Sequence, residues 1–180
     1  MVHHEEHSPL HYTGLGEGRI EVVCGPMFSG KTEELLRRVR RAQIAAQPAV
    51  IFKPAADTRY QKDQVTSHNA SALPSVTVRS SGDILEYLRK QPRLFTVVAI
   101  DEAQFFDAEL PATCVSLANK GVRIIAAGLD LDYRGKPFGV IPELLALAEE
   151  VTKLHAVCME TGRPAHFSHR IAGGNSTVEV

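Results

Sequence analysis

A chain of 180 residues, 44% of them hydrophobic, can bury one sizeable core and carry at most a small appendage. Twenty basic residues stand against 21 acidic ones, a formal net charge of -1, so no global field draws the chain to nucleic acid or to an anionic membrane. The three cysteines, Cys24, Cys114 and Cys158, lie far apart, and no apolar run nears the roughly 20 residues that span a bilayer. The expectation is a soluble cytoplasmic protein in a reducing compartment, with no nucleic-acid or membrane partner.

Residues 1–18 carry four histidines (His3, His4, His7, His11), three acids and no apolar period, the composition of a disordered tail. Ile20 to Cys24 then reads as a short buried strand that stops at Gly25-Pro26. Lys31 to Ala46 carries Leu35, Leu36, Val39 and Ala42 at helical spacing. On that helix Glu33 and Glu34 precede Arg37 and Arg38 by four residues, so the arginine cluster reads as a solvated, paired face.

Further apolar runs at Ala49–Phe52, Val76–Val78, Phe95–Ile100 and Val122–Ala127 alternate with helical patterns at Asp83–Lys90, Ala108–Asn119 and Pro142–Glu150. Continuous runs such as Phe95 to Ile100 suit strands covered on both faces. The predicted architecture is therefore α/β, a parallel sheet sandwiched by helices. After Val151, Thr152–Cys158 and Ala165–Arg170 read as short strands around a Gly162-Arg163-Pro164 turn. The expected organisation is a tail (1–18), a nucleotide-binding domain (19–150) and a small second lobe (151–180).

Between the first strand and the first helix, Gly25-Pro26-Met27-Phe28-Ser29-Gly30-Lys31-Thr32 fits G-x-x-x-x-G-K-T. Glycines let the backbone curl so that its N–H groups and the helix N-terminus face a polyphosphate. Lys31 would reach the outer phosphates and the Thr32 hydroxyl a magnesium ion. A second element belongs with it, a buried strand that ends in an acid, and Phe95 to Ile100 ends in Asp101-Glu102. Asp101 is read as the magnesium acid and Glu102 as the group that handles a proton or orients water. The two elements predict a P-loop NTPase-like fold that binds a nucleoside triphosphate with magnesium. A guanine specificity is disfavoured, since Asn119-Lys120-Gly121-Val122 lacks the acid of N-K-x-D.

Several linked motifs narrow the choice: the phosphate loop, Lys53 to Tyr60, Ser67-His68, Asp101-Glu102-Ala103-Gln104-Phe105-Phe106, Gly128-Leu129-Asp130, Lys136-Pro137-Phe138-Gly139 and Lys153 to Cys158. In this order they resemble the type II thymidine kinase family, the cytosolic, tetrameric, zinc-bearing class, over roughly Ile20 to Cys158. The resemblance implies transfer of a phosphoryl group from ATP to the 5′-hydroxyl of thymidine, and a homotetramer. It implies that Glu102 is the base, that Arg59 neutralises the transferring group, and that Asp57 supports magnesium through water at the substrate. Gln104 is grouped with the nucleotide contacts. Met27, Phe105, Leu129, Tyr133 and Phe138 match positions that enclose the thymine ring.

The family's second lobe holds zinc with two cysteine pairs. Here Cys158-Met159-Glu160-Thr161 keeps one cysteine and puts threonine in the second place, and the second pair is absent. His155, His166 and His169 read as solvated side chains rather than replacement ligands. The sequence reaches Val178-Glu179-Val180 about where the family continues into a glycine-containing lasso over the nucleoside. The expectation is a chain that stops short of zinc and lasso or has lost both. Two competing readings stay open: a nucleic-acid-stimulated ATPase, since Asp101-Glu102-Ala103-Gln104 resembles a helicase acidic motif, and a nucleotide-binding protein without turnover.

Overall fold

The computed structural model describes residues 17–56, 64–66 and 72–168. Its centre is a six-stranded sheet in which every pairing is parallel. The strands are β1 (Arg19–Cys24), β2 (Ala49–Pro54), β5 (Val76–Val78), β6 (Val97–Ile100), β7 (Arg123–Gly128) and β8 (Glu150–Lys153), with β3 (Gln64–Thr66) and β4 (Ala72–Pro74) as a separate antiparallel pair. Across the sheet the order is β5-β2-β6-β7-β1-β8. The strand ending in Asp101 is thus parted from the phosphate-loop strand by β7.

Successive side chains of a strand point to opposite faces, and here both faces are covered. Val23, Ile51, Val97, Ala99, Ile125 and Ala127 pack with Leu35, Leu36, Val39 and Ala42 of α1 (Lys31–Ile44). Val22, Cys24, Phe52, Val98, Ile100, Ile124 and Ala126 meet α2 (Ser81–Lys90), α3 (Leu110–Ala118) and α4 (Ile141–Leu147) through Ile84, Leu88, Leu117 and Leu144. The continuous apolar runs are this two-sided burial. Burial of Leu35 and Leu36, both at 0% exposure, contributes about 1.5–3 kcal/mol each, against about 0.3–0.5 kcal/mol for a surface ion pair of a helix. Packing therefore holds α1 in place. α2 starts at a capping box in which the Ser80 hydroxyl accepts from the Asp83 N–H and the Asp83 carboxylate accepts from the Ser80 N–H.

Three expectations change. The predicted helix Pro142–Glu150 stops at Leu147, because Glu150 already opens β8, and the predicted strand Thr152–Cys158 is divided. Its first part belongs to β8, which pairs with the otherwise open edge of β1 and satisfies that backbone. Its end forms β9 (Ala156–Val157), paired antiparallel with β10 (Pro164–Ala165). Third, Arg38 is not solvated: it is 6% exposed and lies 2.7 Å from Glu21, 2.8 Å from Glu34 and 3.1 Å from Glu150. Arg37 does lie on the exposed face, paired with Glu34 at 2.6 Å. No helix among the described residues is long and apolar enough to cross a membrane.

Candidate active site

The phosphate loop leaves β1 at Cys24 and enters α1 at Gly30, its left-handed N-cap. Gly25 has a φ of 145°, and an added Cβ would fall on the Leu154 carbonyl, so a side chain there is excluded by conformation and by space. The constraint comes from the chain just after β8, where the Leu154 N–H donates to the Cys24 carbonyl at 2.8 Å. Lys31 Nζ donates to the Pro26 carbonyl at 2.7 Å and so lies back over the loop. The Met27 N–H donates to Ser168 Oγ at 2.9 Å. Ser29 Oγ is buried and has no hydrogen-bond partner among the described residues. Phe28 stands 74% exposed in the left-handed region, with a φ of 61°.

Opposite the loop, Thr32 Oγ1 lies 3.3 and 3.4 Å from the two oxygens of Asp101. Asp101 is 7% exposed, and burial, followed by the charge of neighbouring Glu102, pushes its carboxyl up to about 7. A buried carboxylate beside a hydroxyl and a second carboxylate is an oxygen donor set of the kind a hard divalent cation takes, so the residues fit magnesium. Glu102 has a φ of 50° and a ψ of 42°, a left-handed conformation uncommon for a non-glycine residue, and its N–H donates to Asp101 Oδ1 at 3.0 Å.

Gln104, expected at the nucleotide, is 3% exposed and engages both ends of its amide within the protein. Its Nε2 donates to Glu102 Oε2 at 2.5 Å, and its Oε1 accepts from the Leu129 N–H at 3.0 Å. Phe105 and Phe138 meet edge to face, with ring centroids 5.7 Å apart. Met27, Leu129 and Tyr133 are half-buried, and the Arg134 guanidinium lies 5.0 Å over the Tyr133 ring. Asp57 and Arg59, and His169 of the second lobe, lie outside the described residues.

Sequence reasoning gave no role to Asp130 and Lys153, whose ion pair at 2.8 Å reaches from the end of β7 to the end of β8, past the stem of the loop. Asp130 is 6% exposed. Its signal was available only through the strand order, which sets β1 between the two.

The zinc expectation finds no support. Among the described residues no three His, Cys, Asp or Glu side chains converge to hold a metal ion. Cys158 therefore belongs to no such group there, and hydrogen bonds around Thr161 hold its thiol below the ordinary range. His155 and His166 are exposed and meet each other, centroids 4.4 Å apart.

Comparison with known proteins agrees with this geometry. The family model described as thymidine kinase matches residues 18–180. Thymidine kinases of Bacteroides fragilis and Bacteroides thetaiotaomicron are each 52% identical to this chain over 161 residues, which is 89% of this chain and 79% of theirs. Among solved structures, the genome packaging NTPase B204 of Sulfolobus turreted icosahedral virus 2, in complex with ATP-gammaS, resembles it in fold alone. The TM-score there is 0.50 at 14% identity, over 81% of this chain and 79% of that one. With a phosphate loop between β1 and α1, an acid pair after β6 and relatives at this identity, the chain belongs to the thymidine kinase family.

Proposed function

We propose that this chain transfers the γ-phosphoryl group of ATP to the 5′-hydroxyl of thymidine, giving ADP and thymidine monophosphate. Family membership supports the substrates. The observation that carries the chemistry is the buried Asp101 facing Thr32 across the loop, with a second carboxylate, Glu102, beside it. Transfer of this kind is mostly positioning and charge neutralisation; these oxygens suit a divalent cation that would neutralise charge, and Lys31 adds a positive one.

In this reading the loop N–H groups and the α1 N-terminus hold the phosphates, and Lys31 turns from the Pro26 carbonyl to the outer ones. Thr32 and Asp101 would hold magnesium, which would neutralise charge on the phosphoryl oxygens when bound. Glu102 takes the proton of the 5′-hydroxyl as its oxygen forms the new bond to the γ-phosphorus. The bond from that phosphorus to the β,γ-bridging oxygen breaks, and ADP leaves with the electron pair. Arg59 would neutralise the transferring group, and Asp57 would help to hold magnesium. Met27, Phe105, Leu129, Tyr133 and Phe138 wall the thymine, where a flat apolar surface rewards a pyrimidine ring. A cytoplasmic homotetramer completes the reading.

The test is ADP formation from magnesium-ATP by the 180-residue chain, with and without thymidine, beside Glu102→Gln. Thymidine should stimulate turnover, and the variant should lose at least about 100-fold, the lower range for a general base. Turnover indifferent to thymidine, or sustained by the variant, overturns the assignment.

A further inference from the structure

We propose that Gln104 is a positioning residue for the phosphoryl transfer: it fixes the direction of the Glu102 carboxylate and ties it to the end of β7. The inference rests on the kinase reading above and adds a residue to it. The amide's orientation is decided by its surroundings. The Leu129 N–H can only donate, so the atom 3.0 Å from it is the amide oxygen. The amide nitrogen is therefore left to face Glu102 Oε2, and it donates there.

Two glycines lie close against Gln104, Gly128 against its side chain and Gly139 against its backbone. Gln104 sits in the 3-10 turn Ala103–Phe105 that follows Glu102. At the end of β7, a Cβ on Gly128 would lie 2.6 Å from Gln104 Oε1 and 2.6 Å from Ile141 Cδ1. Gly139, with a φ of 54°, lies so close that a Cβ would fall on the Gln104 carbonyl. Gly128 precedes Leu129, and Gly139 follows Phe138, both wall residues of the proposed thymine site. The Gln104 amide thus bridges the base and that wall from behind.

The Glu102 backbone is set in the left-handed region, and the Gln104 donation to Oε2 adds a direction to its half-buried side chain. A carboxylate displaced by about 1 Å loses on the order of 100-fold in rate. Because Gln104 has both ends engaged within the protein, it acts through Glu102 and not on the substrate.

Two substitutions separate this role from plain packing. Gln104→Glu keeps the shape and an oxygen for the Leu129 N–H, but turns an acceptor toward Glu102 in place of the donor. Gln104→Met keeps the length and removes both contacts. Each should lower kcat by about 100-fold with KM for ATP within about twofold of the parent, in protein with a normal cooperative melt. Repeated in the Glu102→Gln background, Gln104→Met should cost nothing further, since residues acting as a unit are not additive. An equal loss in both backgrounds, or parental kcat in Gln104→Glu, overturns the inference and leaves the kinase reading standing. Full turnover by Glu102→Gln alone would instead remove the base, and this inference with it.

Discussion

Among the described residues Glu21 is the most deeply buried charged side chain, and replacing it with glutamine measures what it contributes to the fold. It sits on β1, 1% exposed, 2.7 Å from Arg19, 2.7 Å from Arg38 and 2.6 Å from Arg123. Breaking a buried ion pair from one side costs about 3–5 kcal/mol, and Arg38 keeps Glu34 and Glu150, so about 3 kcal/mol is expected. Burial alone would raise the Glu21 carboxyl, but the arginines, Arg123 foremost, overcome it and hold the group near 2, against an ordinary 4.5. At about 1.4 kcal/mol per unit, that drop is again about 3 kcal/mol. The folded-state value is depressed, so this stability is fully present above pH 4.5 and is lost as the pH falls through about 2. Urea unfolding of parent and Glu21→Gln should therefore differ by about 3 kcal/mol at pH 7 and by roughly half or less at pH 3, where the carboxyl of the unfolded parent is already protonated while the folded one is not. Turnover per folded molecule should hardly change, since Glu21 lies three residues before the end of β1 at Cys24. A gap below about 1 kcal/mol at pH 7, or one undiminished at pH 3, would refute the reasoning.

Asp101→Asn should separate function from stability. The parent carboxyl is pushed up to about 7, so its ionisation opposes folding, and the metal-free protein loses stability as the pH rises through that value. In magnesium-free buffer at pH 8 the variant should resist urea better by about 1–3 kcal/mol while losing thymidine-dependent turnover; a weaker fold at that pH sinks the idea. The thiols should also sort by surroundings. Burial pushes Cys114 up to about 12, whereas Cys158 is half-exposed with its thiol held low, so brief alkylation at pH 7 should label Cys158 first, as read by peptide mass spectrometry. Modification of Cys114 in the folded protein at a comparable rate would contradict the placement.

Elements with a local signature are legible in the amino-acid sequence itself. Lys31 begins α1 and Val97–Ile100 is β6 because apolar period, glycine loop and two-sided burial each leave a mark within a few residues. The loop and the Asp101-Glu102 pair are legible for the same reason. β8 is not. Glu150, Val151 and Lys153 are exposed residues, and what makes them a strand is the open edge of β1, a partner more than a hundred residues earlier. Arg38 misleads in the same way. Its spacing to Glu34 predicts a surface pair, and that pair forms, but Glu21 and Glu150 draw the guanidinium into the interior from other strands.

The role of Gln104 and the Asp130–Lys153 pair depend on one fact of topology, the interposition of β7 between β1 and β6. Were β1 and β6 neighbours, the loop and the acid pair would abut, with no third strand end between them. With β7 there, Gly128, Leu129 and Asp130 emerge at the carboxyl edge of the sheet, where ligands of open α/β folds sit. Leu129 then offers its N–H to Gln104 on the β6 side, while Asp130 takes Lys153 across β1 on the other. One strand end thereby sets both the carboxylate proposed as base and the stem of the phosphate loop. A change in how the β7 turn sits would reach both halves of the reaction, and the short Gly128-Leu129-Asp130 run is where such a change has the least room.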